Sequence, residues 1–369
     1  MADSDILNKV YNRDKATLSG PHEKRSFDGR CHCRRFQFSI TLPASSLPLN
    51  GMICHCSNCR YTHGTFGNSQ VILPPGVEPE WANGSLKDQL ADHQKPGREG
   101  VRLFCPDCGS HVGHVDPTCG QWAVAWGIFD EKFWHLTFHV YPKSAVGGGA
   151  VDWLPKIAGR EVLQLSPGSR DAPERCEPVM GPDGEERLHA ECCCGGVSFT
   201  ISRPSQAIIN DEYMGQYVSP TDLRKWKAFL DMCRGCGRLS GTSVSPWLLV
   251  PRIVLDPEVP PDLKVGTIRT YNSSKRNTRG FCGVCGATVF LTTTLRTPTE
   301  RQAVLNVGMG ILRAPEGIRA ENWVSWRTAN IAWANDARSY DADFTEALVT
   351  GHRHWGVETT GEALDFPVI

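Results

Sequence analysis

The hexapeptide FCPDCG at residues 104–109 has a near copy, FCGVCG, at residues 281–286. In each copy this hexapeptide is the last of three cysteine motifs. A C-x-C pair comes first, and a middle cysteine cluster lies between the two. The first copy contains Cys31, Cys33, Cys54, Cys56, Cys59, Cys105 and Cys108, and the second contains Cys192, Cys194, Cys233, Cys236, Cys282 and Cys285. The interval from Cys59 to Cys105 and that from Cys236 to Cys282 are both 46 residues. The repeat predicts two homologous domains.

Closely paired cysteines of this kind favour zinc. One tight turn presents both sulfurs to one ion, and a distant pair completes the tetrahedral shell. A secreted disulfide framework is disfavoured, because Met1–Val10 is polar and acidic and lacks the apolar core of a signal peptide. We therefore expect a reducing, cytoplasmic location, where thiolates remain available to metal.

Composition argues against two classes of partner. The 39 Lys and Arg residues nearly balance the 40 Asp and Glu residues, without the basic excess of a dedicated nucleic-acid binder. No apolar run approaches the roughly 18 residues that a membrane span needs. The expected partner is therefore a small-molecule substrate, with neither nucleic acid nor membrane.

The repeat and the composition also set the domain boundaries. Residues 1–26 form a polar lead-in, and residues 166–186 are rich in proline, glycine and charge, as linkers are. The two domains then span residues 27–165 and 187–369, and they leave room for an internal pseudo-dimer.

Between the cysteine clusters, apolar and polar residues alternate as they do in β-strands. Each domain is therefore expected to be mainly β, with antiparallel sheets and a few short helices. Three segments carry this pattern: Trp122 to Ile128, Val197 to Ile201 and Thr288 to Leu291.

Two helices are predicted in the second domain. Ser219 reads as an N-cap, with Leu223, Trp226 and Leu230 on one face. Near the end of the chain, Phe344 and Leu348 are followed by Gly351 as the expected C-cap.

Five stretches together resemble the glutathione-dependent formaldehyde-activating enzyme family, which includes centromere-protein-V-like members. In the first copy they are Gly29–Cys33 (GRCHC), Cys54–Arg60 (CHCSNCR) and Phe104–Ser110 (FCPDCGS). In the second they are Glu191–Val197 (ECCCGGV) and Phe281–Thr288 (FCGVCGAT). The resemblance covers nearly the whole chain beyond the lead-in and the linker.

The resemblance implies antiparallel sheets around zinc, an arrangement called a β-tent, and two kinds of metal site. Cys31, Cys33, Cys105 and Cys108 would form a structural site, with Cys192, Cys194, Cys282 and Cys285 as its counterpart. Cys54, Cys56 and Cys59 would hold a second zinc with one open position. Chemistry supports this division, since a fourth thiolate seals an ion whereas three leave a place for water or substrate.

The second copy departs from this pattern at Asp231. Aligning Cys233 and Cys236 with Cys56 and Cys59 places Asp231 where the first copy has Cys54. Leu230–Cys236, followed by Ser240-Gly241 and Trp247, resembles a fungal branch of the family. Three interpretations stay open: Asp231 is a zinc ligand that makes the ion a stronger Lewis acid, a general base, or the mark of a site that has lost its metal.

Other residues are weaker candidates. His55, inside the CHC cluster, and His63, His111 and His114, near the cysteine motifs, are candidate proton carriers, with His55 preferred, although a supporting or exposed histidine is the commoner role. Arg60 and Arg234 are placed to hold an anionic substrate, although a surface salt bridge is the commoner role. The tryptophans, Trp247 among them, either line a pocket or pack in the core.

The leading functional hypothesis is a zinc-dependent lyase of the carbon–sulfur type that acts on a thiol/aldehyde adduct, with glutathione as the suggested thiol. Its expected catalytic residues are Cys54, Cys56, Cys59, Asp231 and His55, and its cofactor is Zn²⁺. A second hypothesis is a zinc Lewis-acid isomerase, dehydratase or hydrolase that is independent of glutathione. A third is a zinc scaffold without catalysis.

Overall fold

The computed structural model describes residues 8–13, 23–82, 84–85, 87–94, 100–166 and 176–368. Parts of the predicted lead-in (residues 1–7 and 14–22) and of the predicted linker (residues 167–175) lie outside the described residues.

The first half of the chain forms short strands that precede and follow its cysteine motifs. They are β1 (Lys24–Arg30), β2 (Gln37–Pro43), β3 (Leu49–Cys54), β4 (Asn68–Ile72), β5 (Glu80–Ala82), β6 (Ala91–His93), β7 (Val101–Phe104), β8 (His111–Val115), β9 (Trp122–Ala125), β10 (Trp134–Val140), β11 (Lys156–Ile157), β12 (Arg160–Glu161) and β13 (Leu163–Leu165).

The second half repeats this plan. Its strands are β14 (Val179–Met180), β15 (Glu186–Glu191), β16 (Ser198–Ile201), β17 (Trp226–Asp231), β18 (Ser245–Pro251), β19 (Leu255–Asp256), β20 (Ile268–Asn272), β21 (Asn277–Cys282), β22 (Thr288–Thr293), β23 (Val304–Gly308) and β24 (Val324–Trp326).

Each half contains one large sheet, and seven strands follow the same order in both sheets, with β13 as an additional edge strand in the first. In the first it runs β13-β10-β3-β4-β9-β8-β7-β6, and in the second it runs β24-β17-β18-β23-β22-β21-β20. Neighbouring strands are antiparallel except β3–β10, β10–β13 and β17–β24, which are parallel. Smaller sheets, β1-β2-β5 and β14-β15-β16-β19, carry the C-x-C turns. The predicted fold class, mainly β with antiparallel sheets and few helices, is confirmed.

The α-helices whose bounds lie within the described residues are few, and all but one are short. They are α1 (Ser57–His63), α2 (Ala150–Trp153), α3 (Gln206–Ile209), α4 (Arg234–Ser240), α5 (Ala334–Arg338) and α6 (Ala342–Thr360). α1 and α4 begin directly after the first cysteine of their C-x-x-C pair, at Cys56 and Cys233. They therefore position the middle cluster of each domain.

The helix predicted from Ser219 is wrong. The Ser219 hydroxyl accepts hydrogen bonds from the backbone N–H groups of Thr221 and Asp222 in a turn, and the chain then enters β17. Trp226 and Leu230 share a face because a spacing of four residues also fits the two-residue period of a strand. Every residue of β17 is buried.

The C-cap predicted at Gly351 is also wrong. α6 continues to Thr360 and ends at Gly361, whose φ is 82°. A Cβ atom on Gly351 would lie 1.9 Å from the carbonyl oxygen of Trp153. Gly351 therefore permits the close packing of α6 against α2 rather than ending the helix.

The predicted strand segments are largely confirmed. β16 and β22 cover most of the second-domain patterns, and β9 covers Trp122 to Ala125. Trp126 to Ile128 forms a 3-10 turn instead, although all three residues are buried. Burial, rather than strand pairing, explains the apolar pattern there.

The two halves contact each other through reciprocal turns. The Gly127 N–H donates to the carbonyl of Gly241 at 3.2 Å, and the Gly310 N–H donates to the carbonyl of Gly64 at 3.1 Å. Gly64 and Gly241 end α1 and α4 in the left-handed conformation that glycine favours. The end of each middle-cluster helix is thus bonded to the other half of the chain.

None of the helices within the described residues is long and apolar enough to cross a membrane.

Candidate metal centres

The first four-cysteine group joins two turns. The turn between β1 and β2 supplies Cys31 and Cys33, and the turn between β7 and β8 supplies Cys105 and Cys108. The sulfurs of Cys31 and Cys33 are 3.5 Å apart, and those of Cys33 and Cys105 are 3.6 Å apart. The four sulfurs lie within 4.8 Å of one another.

The second half of the chain builds the same group from Cys192, Cys194, Cys282 and Cys285. The Cys194 sulfur lies 3.6 Å from that of Cys192 and 3.5 Å from that of Cys282. The Val197 N–H donates to the Cys192 sulfur, and the Cys285 N–H donates to the Cys282 sulfur. A hydrogen bond from Cys192 lowers the pKa of Cys194 to about 7, which favours the thiolate.

Both groups fit a zinc ion. Zinc–sulfur bonds of about 2.3 Å place tetrahedral sulfurs about 3.8 Å apart, close to the observed separations. Four thiolates saturate such an ion, so these two clusters have the donor set of sealed structural sites.

The first middle cluster contains three thiols. Cys54 ends β3, Cys56 precedes α1 and Cys59 lies in its first turn. The Cys54 thiol donates to the Cys56 sulfur at 3.5 Å. Hydrogen bonds from Cys54 and Cys59 lower the pKa of Cys56 well below its ordinary value. Within the described residues this donor group has three members.

The second middle cluster contains Asp231, Cys233 and Cys236. The Cys233 N–H donates to Oδ1 of Asp231 at 2.7 Å, and the Cys236 thiol donates to Oδ2 at 3.3 Å. Burial raises the pKa of Asp231, and the bond from the Cys233 N–H opposes that rise. The carboxylate therefore lies with the two thiols, as the alignment with Cys54 predicts.

Sequence reasoning missed one arginine at each middle cluster. Nη2 of Arg102 donates to the Cys59 sulfur at 3.2 Å. Nη1 and Nη2 of Arg279 donate to the Cys236 sulfur at 3.3 and 3.4 Å. A signal was present, since each arginine stands three residues before the closing pair, in R-x-F-C.

These arginines balance the charge of a loaded cluster. Three thiolates with Zn²⁺, or two thiolates and a carboxylate with Zn²⁺, carry a net charge of about −1. A net charge out of water is costly unless an opposite charge pairs with it. One guanidinium in contact with each cluster brings that charge to about zero.

His55 lies in the core beneath the first middle cluster. Its Nε2 is 2.8 Å from Nδ1 of His139, and Nε2 of His139 is 3.0 Å from the carbonyl of Leu154. Because that carbonyl can only accept, His139 donates from Nε2 and its Nδ1 accepts from His55. Nδ1 of His55 makes no hydrogen bond of good geometry in the described part of the chain, and burial lowers the pKa of this ring well below its ordinary value. Burial lowers the pKa of His139 to about 4.

Two of the other candidate histidines lie at the contact between the halves. Nδ1 of His63 is 2.8 Å from the carbonyl of Ser240, and Nε2 of His111 is 2.9 Å from the carbonyl of Gly286. Their rings stack with centroids 4.0 Å apart. His114 lies in β8 opposite Arg102.

The two arginines proposed to hold an anion bond backbone carbonyls instead. Arg60 donates to the carbonyls of His55 and Ser144, and Arg234 donates to that of Phe129. Arg102 and Arg279 are the arginines that contact the middle clusters.

Each middle cluster has an aromatic residue with a positive φ nearby. It directly follows the residue that pairs, across the sheet, with the first member of the cluster. Val140 pairs with Cys54 and precedes Tyr141, whose φ is 58°. Ala332 bridges to Asp231 and precedes Trp333, whose φ is 62°. Bulky residues adopt this conformation at a cost, and such strain is concentrated at functional sites. Tyr141 packs directly on Cys54, Cys56 and Cys59.

Access differs between the two middle clusters. Cys54 and Cys56 are each 6% exposed, whereas Cys233 is partly exposed. A cleft lined by Cys233 and Arg234 on one side and by Tyr340 and Phe344 on the other opens at the second cluster. Cys233 is therefore the member of the second cluster that lines this cleft.

The fold and the clusters define a mainly β protein with four donor groups suited to metal. Residues 26–144 match the sequence model of the family described as glutathione-dependent formaldehyde-activating enzyme. The match supports that family for the first domain and spans its seven motif cysteines, while membership of the second domain and of its fungal branch stays a prediction. No curated protein matches the chain.

Proposed function

We propose that the protein is a zinc-dependent lyase of the carbon–sulfur type, acting on the adduct of a thiol such as glutathione with an aldehyde. One observation carries the proposal: the region that matches the family model contains Cys54, Cys56 and Cys59, three donors that would leave a fourth position open on a zinc ion. The expected reaction adds the thiol across the carbonyl. The C–S bond forms, the C=O π bond breaks, and the thiol proton moves to oxygen.

The residues have separate roles in this proposal. Bound at the three thiolates, zinc would stabilise a substrate thiolate or polarise a carbonyl. Arg102 offsets the negative charge of the ligand set through Cys59. His55 is the proposed proton carrier: its Nε2 bonds Nδ1 of His139, and burial lowers its pKa well below the ordinary value, which keeps the imidazole neutral.

The test is the exchange of ¹³C-formaldehyde with its glutathione adduct, measured by NMR on the full chain. We expect acceleration by the intact protein, its loss in Cys54→Ser, and its retention in Cys119→Ser, which changes an exposed thiol outside the clusters. Acceleration that persists unchanged in Cys54→Ser contradicts the assignment. Aldehyde turnover that needs no thiol contradicts the carbon–sulfur chemistry.

Asp231 favours a second candidate, a glutathione-independent Lewis-acid reaction in the second domain. Its carboxylate lies with both thiols of that cluster, and a carboxylate ligand donates less charge than the thiolate it replaces. Turnover of a small organic metabolite without thiol, lost in Asp231→Ala, supports this candidate. If neither domain has activity although both hold zinc, the protein is a scaffold.

We also propose that the two domains, residues 27–165 and 187–369, form an internal pseudo-dimer. The reciprocal bonds of Gly127 with Gly241 and of Gly310 with Gly64 support it. The proposed cytoplasmic location rests on cysteines that form no disulfide within the described residues, a state that a reducing compartment maintains. Neither nucleic acid nor membrane is a proposed partner.

A further inference from the structure

We propose that the second domain binds a small organic acid, an apolar body with one carboxylate, on the face of its large sheet that carries Asp231. The acid pocket is defined by Phe229, Trp247, Leu249, Arg296 and Asn306. This inference goes beyond the proposed lyase function, because it concerns the second domain and a ligand without a thiol.

Strand register places the pocket residues on one face. Phe229 of β17 lies opposite Trp247 of β18, and Leu249 of β18 lies opposite Asn306 of β23. Directly opposed residues share a face, and so do residues two apart on one strand. Asp231, two residues beyond Phe229, therefore lies on the same face.

The two faces of this sheet belong to different hydrophobic clusters. Phe229, Trp247 and Leu249 pack in a small cluster that includes Cys236, Leu291, Phe366 and Val368. Leu248, between Trp247 and Leu249, packs in the main core. The pocket face is thus separate from the main core and continuous with the middle metal cluster.

Several buried polar groups on this face lack partners. Asn306 is 1% exposed, and neither its amide oxygen nor its amide nitrogen is hydrogen-bonded within the described residues. Nε1 of Trp247 and Nε of Arg296 are likewise buried without partners there. More than about nine in ten buried polar groups are paired in folded proteins. Their concentration beside a metal cluster points to a bound molecule that completes them.

The donors and the walls define the class of ligand. Arg296 directs Nη1 to the carbonyl of Val368 at 3.4 Å, which leaves Nε for an anion. It also interacts electrostatically with Tyr217 and Tyr213 and, more weakly, with Asp231 and Cys236, which places its charge near the cluster. A guanidinium pairs best with a carboxylate, and the amide of Asn306 can bond a neutral oxygen. The surrounding Phe229, Leu249 and Leu291 favour an apolar body.

At the same register, the described residues of the first half carry different side chains. Gln70, which pairs with Ala125 and lies two residues before Ile72, takes the place of Trp247. Ala123, opposite Ile72, takes the place of Asn306. Gln70 is already satisfied, because it accepts from Asn68 at 2.6 Å and donates to the Met52 sulfur at 3.6 Å. Gln70 therefore provides a matched control.

The experiment is calorimetric titration of the purified full chain with hexanoate, benzoate and 3-phenylpropionate, with 3-phenylpropanamide as the neutral analogue. At least one carboxylate should bind saturably, and for 3-phenylpropionate the amide should bind about tenfold more weakly or worse. Asn306→Ala, Arg296→Gln and Trp247→Phe should each weaken binding, the first two about tenfold. Gln70→Ala should leave it unchanged.

Two outcomes overturn the proposal. One is the absence of saturable binding for all three carboxylates, which would mean that water alone satisfies these groups. The other is an equal loss of carboxylate affinity in Gln70→Ala and Asn306→Ala. Thermal melting of Arg296→Gln and Asn306→Ala separates lost binding from lost folding, and Asn306→Ala introduces the residue that the first domain carries there. No aldehyde or thiol is present in this titration. A negative result would therefore not affect the lyase proposal, and a negative lyase assay would not affect the acid-binding proposal.

Discussion

Nη2 of Arg102 donates a hydrogen bond to the sulfur of Cys59 at 3.2 Å, in contact with the cluster on which the proposed chemistry depends. Arg279 makes the same contact with Cys236 in the second domain. In both halves of the chain the arginine lies on the strand that leads to the closing cysteine pair, so one strand connects the four-cysteine group with the middle cluster.

Removing this arginine should weaken metal binding. Arg102→Ala leaves a cluster of about −1 net charge without its partner, and charge-assisted bonds of this kind contribute about 1.5–3 kcal/mol. We expect zinc to be lost to a competing chelator at about tenfold lower chelator concentration. Arg102→Lys should recover part of the affinity.

Arg35→Ala is the matched control, since Arg35 pairs with Asp107 on the exposed surface of the same domain. If Arg102→Ala and Arg35→Ala release zinc alike, the charge-balance account is contradicted.

The four-cysteine groups should support folding rather than chemistry. Cys105→Ser removes one of four sulfurs that converge from two turns, and metal-coupled folding of such sites contributes on the order of 10 kcal/mol. We expect a large fall in the melting temperature, or failure to fold. Cys119→Ser should melt as the unchanged protein does. A Cys105→Ser variant with unchanged stability would rule out a structural metal there.

The buried histidines at the domain contact predict a pH dependence. Burial lowers the pKa of His111 from 6.5 to about 3, and burial lowers that of His63 as well. Above pH 6.5 these imidazoles are neutral in both the folded and the unfolded protein. Below pH 6.5 they take up a proton only in the unfolded protein. The free energy of unfolding should therefore fall as pH drops from about 6.5 towards 3, by about 1.4 kcal/mol per pH unit for His111.

Urea unfolding at pH 6.5 and 5.5, with zinc retention monitored, measures the slope of the free energy of unfolding against pH. The slope should be smaller in His111→Gln and unchanged in His354→Gln, whose side chain is exposed. Equal slopes for all three proteins would show that His111 is not responsible.

The contact between the domains should not tolerate a side chain at Gly127. A Cβ atom there would lie 1.9 Å from the carbonyl oxygen of Gly237 in the other half. Gly127→Ala should cost about 3 kcal/mol or more of stability, because two backbones must separate. Gly235→Ala, where the nearest atom is 3.8 Å away, should be neutral in a melting experiment. Matching stabilities of the two variants would argue against a tight interface.

The spacing of the cysteines along the chain was enough to predict the clusters, because ligand spacing and turn geometry are local properties. The alignment of Asp231 with Cys54 predicted its position with Cys233 and Cys236, although not whether the group holds metal. The helix expected at Ser219 failed because apolar residues four apart fit both helical and strand periods. Asn306 could not be singled out, since an isolated polar residue in an apolar strand gives no sign of whether its amide will find a partner. Arg102 and Arg279 were missed although the R-x-F-C pattern occurs in both copies.

The fate of Asp231 is the most informative single question about the second domain, because a ligand, a base and a remnant of a lost site predict different metal contents. The number of zinc ions per chain, measured by mass spectrometry or atomic absorption, therefore tests the central claim most directly. With four donor groups, we expect four zinc ions in the intact chain, falling to three in Cys54→Ser and to three in Asp231→Ala. Two zinc ions in all three proteins would mean that only the four-cysteine groups bind metal, and the proposed reacting centres would not exist.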